Sequence, residues 1–308
     1  MKRRHFIQKT ALASAGAVIY ACGGKPSTST VAESQLGVSK SIGLQLYTLR
    51  DKLRMDNEGT SYFDRNEIKG IMGSVAEVGF EELECFDYKN GSIFDIPYME
   101  FDTMIRDMGM KITSGHYGLG VGLPDKPSTV INGWQAAVED ANRIGQESMV
   151  VASLEKSERK SIDDYKKACE LLNIANETCK SAGIKLQYHN HEFEFETLEG
   201  QIPYDVMLSE LDTSIPMEMD LYWINYAGKD PFAYFAKYPG RFEQWHVKDM
   251  NKNNPKLQTD VGAGSIDFKA IFAKAELAGM KHYYLEQENY DVSPMDSITK
   301  GYAYLKAL

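Results

Sequence analysis

The feature that most constrains this chain is a joint that recurs along it: an amphipathic stretch, a glycine, then a short apolar run. It stands at Val78-Gly79-Phe80, Met108-Gly109-Met110, Ala182-Gly183-Ile184 and Ala278-Gly279-Met280. A glycine just past the last periodic residue reads as a helix stop, and the apolar run after it reads as a buried strand. Runs of strand character occupy 42–46, 83–86, 111–114, 148–152, 184–188, 215–219, 242–247 and 282–285. Helical periodicity occupies 68–78, 99–108, 134–144, 162–182, 203–211, 231–238, 268–278 and 297–305. Eight strand–helix units, spaced about 34 residues apart, predict an α/β fold in the form of a (β/α)8 TIM barrel over 41–308. A doubly wound sheet needs fewer units and a glycine-rich phosphate turn after its first strand, which is absent here. GLGVG at 118–122 follows the third strand and reads as a mobile loop.

The first 40 residues read differently. Lys2-Arg3-Arg4-His5-Phe6-Ile7 is a twin-arginine pattern, followed by a small-residue, weakly apolar run over 11–19. That run is shorter than the roughly 20 residues a spanning helix needs. Ile19-Tyr20-Ala21-Cys22 resembles a lipoprotein cleavage box, which gives a leader at 1–22, a lipidated Cys22 as membrane tether, and a polar linker at 23–40. An exported protein, periplasmic or membrane-anchored, is the expectation. Without the leader the chain has 30 basic and 44 acidic side chains, a formal −14. Such a surface repels phosphate backbones, so nucleic acid is not an expected partner. Cys169 and Cys179 lie ten residues apart on one expected helix, roughly 15 Å along its axis, too far for a disulfide. They and Cys85 read as core thiols.

In a barrel the strand C-termini converge on one cavity, so the polar residues at those ends form a set. They are Gln45 and Tyr47, Glu84, His116, Glu155, His189 and His191, Glu218 and Asp220, His246 with Lys248 and Asp249, and Glu286 with Glu288. Four of the six histidines fall there, whereas His282 opens the last strand at the opposite face. Alternation along a strand puts Glu218 with Asp220, His246 with Lys248, and Glu286 with Glu288 on shared faces. Carboxylates and imidazoles from strands five to eight make a mixed N/O donor set suited to Zn²⁺, Mn²⁺, Co²⁺ or Fe²⁺.

The segments IGLQLYTLRD, GIKLQYHNHEFEF, MEMDLYWINYAG, WHVKDM, VGAGSIDF and YYLEQEN resemble the xylose-isomerase-like superfamily of sugar isomerases, epimerases and inosose dehydratases. HVKD followed by VGAGSIDF carries most of that specificity. The resemblance implies a divalent metal (Mn, Zn or Co) at the barrel mouth, with His189, Asp220, His246 and Glu286 as ligands. Ketose epimerases of the superfamily carry a glutamate at the strand-five position; here His189 stands there, in a YHxH pattern similar to inosose dehydratases. The expected chemistry is abstraction by Glu286 of a proton α to a sugar carbonyl, with His116, His191 or Lys248 handling a proton on the other side. Return of the proton to carbon gives isomerisation or epimerisation; loss of a neighbouring hydroxyl gives a dehydratase or lyase. Glu84 and Gln45 are candidates for hydroxyl recognition, and Tyr47, Trp223 and Tyr226 for a stacking wall. Two other classes share the fold, a tethered carbohydrate-binding protein and a repair endonuclease. The retained donor set argues against the first, and the acidic charge and leader against the second. The 203–211 helix and 251–260 loop are candidate interface elements of a homo-oligomer.

Overall fold

The structure, a computed structural model, describes residues 41–54, 62 and 64–308. The leader and linker expected at 1–22 and 23–40 lie outside the described residues. Eight strands close a parallel barrel: β1 (Gly43–Gln45), β2 (Glu82–Cys85), β3 (Lys111–Tyr117), β4 (Ser148–Val151), β5 (Lys185–His189), β6 (Met217–Asp220), β7 (Gln244–Val247) and β8 (His282–Leu285). Consecutive strands pair in order, and β8 closes on β1 through Gly43 opposite Tyr284. The outer helices are α1 (Arg65–Val78), α2 (Tyr98–Asp107), α3 (Trp134–Arg143), α4 (Ile162–Ser181), α5 (Pro203–Glu210), α6 (Pro231–Lys237), α7 (Phe268–Phe272, continued by Ala275–Ala278) and α8 (Pro294–Lys306). This is the expected (β/α)8 architecture.

Local chemistry sets the boundaries. Asp64 and Glu67 form a reciprocal capping box, so α1 starts at Arg65, before its apolar period begins at Ile68. Ser161 and Asp164 do the same for α4. At the far ends the helix–Gly–strand joints hold. Gly279 has φ +82°, and a Cβ there would lie 2.7 Å from the Gly240 backbone, so both conformation and close approach require glycine. The helix expected at 268–278 is divided, because Lys274 N–H bonds to the Ile271 carbonyl three residues back (2.9 Å) and the chain tightens there. GLGVG is tied down rather than free-standing: Val130 and Ile131 donate backbone hydrogen bonds to Gly118 and Leu119 (3.0 and 3.2 Å).

The apolar core lies between strands and helices, where Trp245 stacks on Phe235 with ring centroids 5.3 Å apart. Cys85, Cys169 and Cys179 are buried free thiols. The barrel axis, by contrast, is polar. Gln45, Glu84, Ser114, Glu218 and Gln244 are fully buried inside it. Burying such groups is tolerable only when they bond one another. Gln244 Nε2 donates to Glu218 and Ser114 (3.0 and 3.1 Å), and Gln187 donates to Gln244 and to Ser148.

Candidate metal centre

The strand C-termini carry two side-chain layers. In the upper one, His189 from β5, Asp220 from β6, His246 from β7 and Glu286 just past β8 bring four ligand atoms within 4.8 Å of one another. His189 Nε2 and His246 Nδ1 are 3.1 Å apart. Glu286 Oε2 is 2.7 Å from His246 Nδ1, and Asp220 Oδ2 is 3.5 Å from His189 Nε2. The lower layer, Glu84, His116, Glu218 and His246, shares the His246 ring, whose Nε2 faces Glu84 Oε1 at 2.5 Å. Glu218 is two residues before Asp220 on the same strand face and therefore one step deeper in the barrel.

The layers differ in how well they are satisfied. Glu84 accepts from Gln45 Nε2 (2.8 Å) and Ser114 Oγ (2.6 Å), while Glu218 contacts Gln244 Nε2 (3.0 Å) and His116 Nε2 (2.9 Å). In the upper layer, Asp220 Oδ1 caps the short helix Leu221–Tyr226 by accepting Trp223 N–H (2.8 Å), but Oδ2 is buried with no hydrogen-bond partner. It lies 3.0 Å from Lys248 Nζ, an ion pair without hydrogen-bond alignment. An orphaned carboxylate oxygen beside two imidazole nitrogens fits a cation at this layer. The ring orientations agree. His189 Nδ1 faces the Ala152 carbonyl at 3.1 Å, so it carries the proton and Nε2 offers its lone pair inward. His246 points Nε2 at a carboxylate and Nδ1 into the upper layer, the arrangement that orients a ligating histidine. Two nitrogens and two carboxylate oxygens suit Mn²⁺, Zn²⁺ or Co²⁺.

Electrostatics follow from this crowding. Burial, reinforced by the His246 charge, pushes His189 down to about 3, so its ring is neutral. Burial also opposes charge on His116, but Glu84 and Glu218 outweigh it and hold the imidazole at about 9. Burial works against ionising Glu286, yet Lys248 and His246 keep its carboxyl well below the usual range. Lys248, whose burial is likewise overcome, is held charged by Asp220, Glu286 and Glu288.

A cleft of about 360 Å³ opens above the upper layer. His116, His189, His191, Lys248, Glu286, Glu288 and Tyr47 line it, as does Glu155 past β4. His191 stacks on Phe193 with centroids 5.4 Å apart, and its Nδ1 is buried without a partner. Three expectations need correction. Gln45 and Glu84 are absent from the cleft wall: both are fully buried and spend their polar atoms on each other and on His246. Trp223 is absent from the cleft wall: its ring lies 5.5 Å from Lys248 Nζ and 5.7 Å from the His191 ring. Tyr226 packs on Tyr222 and Trp223 and is likewise absent from the wall. Asp249 organises a loop rather than the cleft. Its carboxylate accepts backbone N–H groups of Met250, Gly262, Gly264 and Ile266 at 2.8–3.2 Å, which explains the spacing between HVKD and VGAGSIDF. The wall residues Phe86, Asp87 and Lys89 were not singled out from sequence; the only signal is that they follow the end of β2 directly.

A family model described as xylose isomerase-like TIM barrel matches residues 73–308. A solved sugar phosphate isomerase/epimerase from Parabacteroides distasonis is 27% identical, with TM-score 0.73, covering 92% of this chain and 98% of that one. An inosose dehydratase of Clostridium perfringens is 26% identical over 163 residues, 47% of this chain and 54% of the relative. The chain thus spans about half the length of the curated relatives it matches. An L-ribulose 3-epimerase structure, 15% identical with TM-score 0.64 and covering 86% of this chain and 95% of its own, shares the fold. With the closed parallel barrel and this match over most of its length, the chain belongs to the xylose isomerase-like TIM barrel family.

Proposed function

We propose that the protein is a divalent-metal-dependent sugar isomerase or epimerase that abstracts the proton α to a carbonyl and passes through an enediolate. The observation that carries this reading is the upper layer itself: a buried N/O donor set with an orphaned Asp220 oxygen, opening through His189 and Glu286 onto a cleft. A cation bound by His189, Asp220, His246 and Glu286 would supply Lewis-acid stabilisation of the developing negative charge. Glu286 is both at the donor set and at the cleft, so its carboxylate is the base that takes the proton from carbon. Lys248 Nζ, 2.9 Å from Glu286 and 2.6 Å from Glu288, places a fixed positive charge beside the same cleft. His116 and His191 line it as well, and we assign them the return of the proton.

A second reading, dehydration or lysis of a keto-sugar, is favoured by one specific feature. The strand-five position holds His189 instead of a second glutamate, so a two-glutamate exchange across the ring plane lacks one partner. A proton delivered by His116 or His191 to a leaving hydroxyl would complete an elimination, and the named activity of the inosose dehydratase relatives is of that class. A carbohydrate-binding protein without turnover is the remaining alternative.

The test is incubation of the manganese-loaded protein with keto-sugars in deuterated water. Deuterium on carbon in a product of unchanged composition supports isomerisation or epimerisation; loss of one water moves the assignment to the dehydratase. Glu286→Gln should lower either rate about a thousandfold. No exchange and no elimination, or a Glu286→Gln variant as fast as the native chain, would sink the proposal. We also read the protein as exported and tethered, on its leader and Cys22; a Cys22→Ala variant should leave the membrane fraction.

A further inference from the structure

Four histidines stand at the barrel mouth, and three of them are oriented by hydrogen bonds. His189 Nδ1 faces the Ala152 carbonyl, His246 meets a partner at each nitrogen, and His116 Nε2 meets Glu218 at 2.9 Å. His191 differs. Its Nδ1 is buried without a partner, and neither ring nitrogen hydrogen-bonds to a described residue. An imidazole without such bonds is free to swing about χ1 and χ2. It lines the cleft all the same, so its orientation must come from packing against its ring faces.

That packing is a stack. The 3₁₀ turn Phe193–Phe195 directly follows the histidine pair and brings Phe193 onto His191. The two rings are parallel, 7° between planes and 5.4 Å between centroids, the offset arrangement that aromatic pairs prefer. Phe193 is held in its turn: the Arg159 guanidinium carbon stands 3.4 Å from the centre of its ring, within cation–π range. Arg159 Nε donates to the carbonyl of buried Leu154 at 3.0 Å, so the stack is anchored in the segment after β4. The backbone is pinned as well. His191 N–H donates to Glu194 Oε2 (2.8 Å), whose other oxygen accepts Tyr188 O–H (2.5 Å).

We infer that Phe193 and Arg159 are positioning residues that hold the His191 imidazole at the cleft for its proton transfer. The inference deepens the proposed function and rests on it for the role of His191. Packing by the ring face leaves the edge of the imidazole free, which a hydrogen bond at the same nitrogen would not. Proton transfer needs heavy atoms within about 2.6–3.2 Å, and a misplacement of about 1 Å can cost about 100-fold in rate.

The experiment is a double-mutant cycle on the manganese-loaded full chain, with fructose, a free ketohexose, as probe. Phe193→Leu should lower kcat about tenfold or more while KM and metal content stay within about twofold. Phe193→Tyr, which keeps the ring, should keep the native rate, and Arg159→Met should lower it several-fold. In a His191→Gln background Phe193→Leu should add nothing, since the ring it positions is gone. A Phe193→Leu variant as fast as the native chain, or one that slows both backgrounds by the same factor, overturns the inference. Ring placement is read separately from the His191 imidazole resonances of the zinc-loaded protein, assigned through His191→Gln. Phe193→Leu should move them and Phe193→Tyr should not. Resonances that move although fructose is not turned over uphold the stack and count against the proposed function. Resonances that Phe193→Leu leaves in place overturn the stack whatever the turnover.

Discussion

The two ends of the barrel both carry charged side chains, but they are balanced in opposite ways. At the floor, Lys111 contacts Glu82 and Glu147 (3.4 and 3.3 Å), His282 contacts the same two acids (2.7 and 3.3 Å), and Lys185 and Lys281 both contact Glu243 (2.5 and 3.0 Å). Each acid there has a cation, and the lysines are 43–51% exposed. At the mouth, Glu84, Glu218, Asp220, Glu286 and Glu288 surround one lysine, Lys248, and three histidines, with Glu288 alone among the acids partly open to solvent. Floor charges are neutralised by partners within the chain and, apart from the buried Glu82, screened by water. Mouth charges are buried and in excess, so they need protons or a cation that the chain does not itself supply. Charge alone does not mark a functional end; buried charge without internal compensation does.

That contrast can be broken by substitution. The largest effect belongs to Asp220→Asn, which keeps the shape and the cap on Trp223 but removes the carboxylate charge at the Oδ2 that has no hydrogen-bond partner among the described residues. Bound metal, measured by elemental analysis, should fall more than a hundredfold in affinity, and activity should fall with it. Retention of full metal content would mean that the upper layer is not the cation site. Next comes Glu194, a buried mouth-side carboxyl. It accepts Tyr188 O–H (2.5 Å) and His191 N–H (2.8 Å), and burial pushes it from 4.5 up to about 7. Because the folded state binds this proton more tightly than the unfolded state, the group favours folding most below about pH 4.5. Its contribution is lost as pH rises to 7, by about 3 kcal/mol. Chemical denaturation at pH 5 and pH 8 should show that slope in the native chain and its loss in Glu194→Gln. Glu84→Gln should be milder. It loosens the Nε2 side of His246 and lowers metal affinity about 10–100-fold, as changes to a ligand's supporting partner do. The smallest effect is expected at the floor, where Glu243→Gln should cost about 1 kcal/mol or less in denaturation and leave metal content unchanged. A floor variant that lost metal would erase the distinction between the two ends.

Much of this was legible in the sequence. The helix–Gly–strand joints indicated the barrel, and alternation along β6, β7 and β8 correctly paired Glu218 with Asp220, His246 with Lys248 and Glu286 with Glu288. Depth was not legible. Barrel strands are staggered, so residues at the ends of different strands do not reach the same level. The β2–β3 register even shifts between Leu83 and Glu84. Gln45 and Glu84 therefore end in the lower layer, although their positions along the chain look equivalent to those of true wall residues. The left-handed backbone of Asp87 and Ser128 is invisible for a related reason, since neither residue type demands it and only the packed loops impose it.

The donor set comes from one contiguous stretch, His189 to Glu286, while the wall of Tyr47, Phe86, Asp87, Lys89 and Ser128 comes entirely from the preceding part of the chain. The two sides of the cleft are thus inherited on separate segments of the gene. Substitutions accumulating in the first half can reshape the far side of the cleft while the donor set stays as it is. Recombination near the junction between β4 and β5 would exchange one side of the cleft and keep the other.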